Sequence, residues 1–155
     1  MIHFIDTSAL AKLFIRQAGS QNIESFVRGT HPADLAVASI MQIEVRSGLQ
    51  RRFRNRELDS NDLQFAANAI EAISLSWVTV PMDPRTIQSS LKAVEHHALR
   101  SLDAIQLGTA RLLQDEAPPG ERLLFIASDH RLLAATTAEG LPTWNPESGP
   151  APVNF

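Results

Sequence analysis

Met1-Ile2-His3-Phe4-Ile5-Asp6-Thr7-Ser8 begins as an almost unbroken apolar run, stops on a carboxylate and continues with two hydroxyls. Apolar residues hardly alternate there, so residues 2–6 read as a strand covered on both faces, as in a parallel sheet. A second run, Leu123-Leu124-Phe125-Ile126-Ala127-Ser128, repeats the pattern and ends on Asp129. Shorter strands are expected at Asp34 to Ala38, at Trp77 to Val80 before Pro81, and at Leu141 to Trp144 before Asn145-Pro146. The segments between them carry helical signals. Asn61 to Ser76 places Leu63, Ala66, Ala67, Ile70 and Ile73 at a helical period. Ala9 to Arg16 and Gln21 to Arg28 read as short helices. Ser39, with Gln42 three residues on, has capping-box spacing for a helix running into the arginine-rich segment. Pro84 opens a helix to about His97, Ser101 caps one to about Asp115, and Arg131 to Glu139 forms a last helix stopped by Gly140. Strands alternating with helices imply crossover connections. The expected class is α/β, with a mostly parallel central sheet of four to five strands flanked by helices.

Composition sets the outer limits. A chain of 155 residues, 44% hydrophobic and 20% charged, suits one domain with a sizeable core. With no cysteine there is no disulfide framework, thiolate metal site or cysteine nucleophile. Neither a long apolar span nor a signal-peptide pattern is present, so no membrane association and a cytoplasmic location are expected. The net charge of −3 does not mark a nucleic-acid binder. Arg46, Arg51, Arg52, Arg54 and Arg56 nevertheless crowd one segment. They read either as a solvated helix end or as a phosphate-facing rim.

Four carboxylates stand where an open parallel sheet would gather an active site. Asp6 and Asp129 follow the two apolar strands, Asp103 opens a helix at Ser101-Leu102-Asp103-Ala104, and Glu44 lies one turn into another. Ligands in such sheets bind outside the carboxyl ends of the strands, near the switch in strand order. Each acid has a bland reading alone: Asp6, Asp103 and Asp129 suit helix starts, and Glu44 can occupy an exposed stripe. Together they would repel one another without a cation. An all-oxygen donor set with no cysteine matches Mg²⁺ or Mn²⁺. Such an ion can activate water and neutralise charge on a phosphodiester. His96 and His97, about 100° apart on one helix, are expected at the surface and not on a common metal. His3 reads as a packed strand residue, and Trp77 and Trp144 as core.

Four segments carry a resemblance that covers nearly the whole chain. They are Phe4-Ile5-Asp6-Thr7-Ser8-Ala9-Leu10, Ile43-Glu44-Val45-Arg46-Ser47-Gly48-Leu49, Leu102-Asp103-Ala104-Ile105-Gln106-Leu107 and Ser128-Asp129-His130-Arg131-Leu132. In that order and spacing they resemble the PIN-domain family, and more narrowly its VapC-type toxin ribonucleases of toxin–antitoxin pairs. The resemblance implies a three-layer PIN-like domain over residues 1–146 with a proline-containing tail at 147–155. It implies an Mg²⁺- or Mn²⁺-dependent endoribonuclease in which Asp6, Glu44, Asp103 and Asp129 hold metal and carry catalysis. Thr7, Ser8, Arg46 and Ser128 then match positions that place ligands or the RNA substrate. A homodimer and a cognate antitoxin protein are implied as partners. Two rivals remain. One is a non-catalytic PIN-like module that binds RNA or a partner. The other is a haloacid-dehalogenase-type phosphotransfer enzyme, which would want a second aspartate where Ser8 stands.

Overall fold

In a computed structural model, which describes residues 1–152, the apolar runs form one parallel sheet in the order β3-β2-β1-β4-β5. The strands are β1 (Ile2–Ile5), β2 (Leu35–Ala38), β3 (Val78–Val80), β4 (Leu123–Ile126) and β5 (Thr143–Trp144). Phe4 faces Ala36 on one side and Phe125 on the other, and Ile5 pairs with Ile126. The chain builds outward from β1 through β2 to β3, then returns to the other side of β1 with β4. The switch in strand order therefore lies between β1 and β4, where Asp6 and Asp129 emerge.

Alternation along each strand sorts side chains into two cores. Ile5, Leu35, Val37, Leu124 and Ile126 lie on one face with Leu10, Ile23, Met41, Val45, Leu49 and Ile70. Those partners come from α1 (Thr7–Leu10), α2 (Ser20–Gly29), α3 (Met41–Arg54) and α4 (Ser60–Ser76). Phe4, Ala36, Ala38, Leu123 and Phe125 form the opposite face with Ala93, Ala104, Leu107 and Leu132. Those partners come from α5 (Pro84–His96), α6 (Ser101–Glu116) and α7 (His130–Ala138). The result is the helix–sheet–helix arrangement expected. Phe4 and Phe125 stack at 5.4 Å on the second face. Helices α5 and α6 approach so closely that a Cβ on Gly108 would meet the Ser90 backbone at 2.5 Å.

Helix starts depart from the sequence reading in an instructive way. Ser39 does not cap: its N–H extends the sheet pattern to Val80 O at 2.8 Å. Helix α3 starts later, with Ile40 at the cap position and no side-chain bond. Ser101 is itself the first residue of α6, behind Arg100. The side-chain caps on neighbouring starts are aspartates: Asp6, Asp59, Asp83 and Asp129. The helix expected over Ala9–Arg16 starts earlier, on Asp6, and tightens into a 3-10 turn at Ala11–Leu13.

Beyond β5 the chain is fastened to the body. Buried Lys12 donates to Glu147 at 2.6 Å and to Ala18 O at 2.9 Å. Asn22 donates to Pro146 O, Trp144 donates to Gly149 O, and Ala151 packs against the first core. Residues 153–155, the end of the tail expected at 147–155, lie outside the described residues. Among the described residues, no helix is long and apolar enough to cross a membrane.

Candidate active site

Asp6 follows the last residue of β1 and caps α1, with Oδ2 accepting from Ser8 N at 2.8 Å and from Ser8 Oγ. Ser8 Oγ in turn accepts from Ser128 N at 2.9 Å. This relay ties the ends of β1 and β4 together across the switch point. Asp6 is only 4% exposed. Burial pushes its carboxyl up to about 6, the Ser8 hydrogen bonds oppose that rise, and the charges of Glu44 and Asp103 add to it.

Glu44 reaches the same place from α3. Its Oε2 accepts from Thr7 Oγ1 at 2.7 Å and from Gln106 Nε2 at 2.7 Å, and Gln106 Nε2 also donates to Thr7 Oγ1 at 2.9 Å. Burial raises the Glu44 pKa, those two donors lower it, and Asp103 raises it again. Asp103, half-buried in the first turn of α6, is raised by burial and by the charge of Asp129. Arg131 and Arg100 pull it back down. Asp129 caps α7, with Oδ1 accepting from Arg131 N at 2.8 Å and Leu132 N at 3.0 Å. The capping reading thus holds for Asp6 and Asp129. Asp6 feels Glu44 and Asp103, Glu44 feels Asp103, and Asp103 feels Asp129, along the carboxyl-end rim of the sheet.

The donor chemistry suits a hard divalent cation: four carboxylates, the Thr7 and Ser8 hydroxyls, and two buried oxygens without partners. Those orphans are Gln106 Oε1 and Ser128 Oγ. Their spacing is wider than a closed cage. Among the described residues no three acidic or histidine side chains converge on one ion position as they stand.

Of the polar residues singled out in sequence, Thr7, Ser8 and Ser128 belong to this network. Arg46 is placed elsewhere. It points about 200° around α3 from Glu44 and lines an outer groove of about 480 Å³ with Gln42, Ser47, Gln50 and Arg54. The cations acting on the acids are Arg100 and Arg131, neither of which stood out in sequence as a site residue. Gln106 was missed as well, although its place three residues after Asp103 puts both on one helix face. His96 is exposed, as expected, whereas His97 is half-buried. His97 ends α5 in an extended conformation, φ −133° and ψ 144°, which turns its ring. Both rings then face Glu139, His97 Nε2 at 2.8 Å and His96 Nδ1 at 3.8 Å. Glu139 is held below the usual range, first by the His97 hydrogen bond and then by nearby charges including Arg111. His3 packs edge-on against Phe26 with Nδ1 unpartnered, and burial lowers its pKa.

A five-stranded parallel sheet flanked by helices, with acids at its switch point, places the chain in the α/β class. The PIN domain family model matches residues 3–136, and the chain belongs to the PIN-domain family. Its fold is shared with solved structures of low sequence identity. FitAcB from Neisseria gonorrhoeae matches with a TM-score of 0.67 at 13% identity, covering 94% of this chain and 98% of that one. A toxin–antitoxin complex from Klebsiella pneumoniae matches with a TM-score of 0.62 at 19% identity, covering 93% and 97%. VapC20 from Mycobacterium tuberculosis, described as a sarcin–ricin loop cleaving toxin, matches with a TM-score of 0.63 at 19% identity, covering 86% and 94%. No curated protein matches the chain.

Proposed function

We propose that the chain is a metal-dependent endoribonuclease, the toxin of a toxin–antitoxin pair, working through Asp6, Glu44, Asp103 and Asp129. The observation that carries this reading is the burial of Asp6 near Glu44 and Asp103, three carboxyls raised first by burial and then by one another's or Asp129's charge, at the sheet's switch point. Such an arrangement opposes folding when empty and is relieved by a bound cation. A divalent ion held there would lower the pKa of a bound water and offset charge on the scissile phosphate. Ser8 fixes the Asp6 carboxylate through Oδ2, and Oδ1 has no protein donor among the described residues. Thr7 and Gln106 hold Glu44 through Oε2 in the same manner. Glu44 would complete the metal's ligand set directly or through a water and would accept a proton from the attacking water. Arg100 and Arg131, exposed beside Asp103, supply positive charge for phosphates of a single-stranded or structured RNA.

The partners follow from the same family reading. The antitoxin is a protein covering the acidic groove, a reading supported by the likeness to the Klebsiella pneumoniae complex. The homodimer has a surface to use. Ile87, Leu91 and Val94 form an exposed stripe on α5 at helical spacing, flanked by exposed Met82 and Leu102. The haloacid-dehalogenase alternative is disfavoured because Ser8, where its second aspartate would stand, is spent on Asp6 and Ser128.

The test is incubation of purified, antitoxin-free protein with labelled total RNA in Mn²⁺ or Mg²⁺. Discrete products that vanish in EDTA are expected. RNA binding that is indifferent to EDTA, with no cleavage, would select the non-catalytic binding module instead.

A further inference from the structure

Gln106 occupies a position where packing alone asks for an apolar side chain. It lies in the middle of α6, 1% exposed, among buried Ala104, Leu107, Gly108, Thr109 and Ala110. A buried amide needs partners, and one left unmatched costs about 1–3 kcal/mol. Both matched bonds of Gln106 come from Nε2 and go to the site: Thr7 Oγ1 at 2.9 Å and Glu44 Oε2 at 2.7 Å. Its Oε1 is buried and unpartnered. The reversed amide would set a carbonyl oxygen 2.7 Å from a carboxylate oxygen, so an ionised Glu44 dictates the orientation.

Thr7 closes the arrangement by donating to the same Oε2 at 2.7 Å. Glu44 is therefore gripped on one oxygen by two donors from two elements, β1–α1 and α6. Its Oε1 carries no protein hydrogen bond among the described residues. We propose that Gln106 is a positioning residue: it fastens Glu44 Oε2, commits Oε1 to a bound divalent cation or its water, and so couples α3 to the Asp103-bearing face of α6. This inference rests on the proposed function above for the role of Glu44. It deepens that reading by making the metal affinity of the site depend on the Gln106 amide.

The test is calorimetric titration of the metal-free full chain with Mn²⁺, for wild type, Glu44→Gln, Gln106→Met and the double variant, with a urea unfolding curve on each. Methionine keeps the length and helix preference of glutamine but neither donates nor accepts as an amide does. Outer hydrogen-bond partners of metal ligands are typically worth 10–100-fold in affinity. A folded Gln106→Met protein is expected to bind Mn²⁺ on the order of tenfold more weakly than wild type. In the Glu44→Gln background the same change is expected to add less than about twofold, because its route to the ion is gone. Wild-type Mn²⁺ affinity in folded Gln106→Met overturns the inference, as does an equal loss in both backgrounds. If Gln106→Met fails to fold, Gln106→Asn supplies the same readout, since its shorter amide cannot reach both Thr7 and Glu44. Wild type that binds Mn²⁺ but cuts no RNA refutes the nuclease reading while leaving the Gln106 result to stand or fall on affinity. Wild type that binds no Mn²⁺ refutes both.

Discussion

Asp6→Asn should stabilise the metal-free protein while disabling it, and the pH dependence of the gain can be worked out in advance. Burial lifts the Asp6 carboxyl from an ordinary 3.8 to about 6 in the folded state. At about 1.36 kcal/mol per pH unit, keeping it ionised costs about 3 kcal/mol of stability. A raised carboxylate pKa means that the folded state binds the proton more tightly, so wild type is relatively most stable at low pH. That advantage is lost as pH rises through about 6. The full cost applies at pH 8. At pH 4.5 the folded protein keeps the proton while most unfolded chains have lost it, leaving about 1 kcal/mol. Asparagine caps a helix about as well as aspartate, and its Oδ1 can still accept from Ser8. The variant should therefore gain about 3 kcal/mol at pH 8 and about 1 kcal/mol at pH 4.5. For a chain of this length the larger figure amounts to about 6–12 °C in Tm. Urea unfolding of both proteins in EDTA at the two pH values measures this. An Asp6→Asn protein no more stable than wild type at pH 8, or one with the same gain at both pH values, would refute the reasoning.

Other expectations follow from particular contacts. Gly108→Ala should cost about 3 kcal/mol in urea unfolding, because its Cβ would strike the Ser90 backbone at 2.5 Å. Gly48→Ala, on α3 with nothing within 4 Å of the added carbon, should gain about 0.5–1 kcal/mol in the same assay. Glu147→Gln should cost about 1–2 kcal/mol, since it leaves the Lys12 ammonium, 3% exposed, with an uncharged partner in place of a carboxylate that is itself partly exposed. If the proposed homodimer forms through α5, Leu91→Glu should lower the mass in light scattering to that of one chain; an unchanged mass would remove α5 from the interface.

The fold was legible where local chemistry and tertiary structure agreed. Apolar runs ending on Asp6 and Asp129 marked the two strands at the switch point, because strands buried on both faces leave no alternation to misread. Ser39 and Ser101 were misread because a cap signal is local. Whether a serine caps or pairs depends on a neighbouring strand, here the Val80 carbonyl. The approach of His96 and His97 to Glu139 was not legible for a similar reason: the turn at His97 lies at the helix end, where boundaries are least determined by sequence. Within the candidate site, Asp6, Asp103 and Asp129 were singled out from their places at element ends and Glu44 from its place one turn into a helix. Their supports were found unevenly. Thr7 and Ser8 sit beside Asp6 in sequence, whereas Gln106 meets Glu44 across 62 positions and looks from sequence like one polar residue in an apolar helix. Arg46 drew attention by proximity to Glu44 in the chain, but successive helical residues diverge, and the helix carries it to the outer groove.

The most direct measurement is cleavage of a labelled total-RNA pool in Mn²⁺ by wild type, Asp6→Asn and Asp103→Asn side by side, each with and without EDTA. The account predicts discrete products from wild type alone, abolished by EDTA, with both variants folded. Equal cleavage by both folded variants, with contaminating nuclease excluded, would contradict the assignment of the acidic cluster as the catalytic centre.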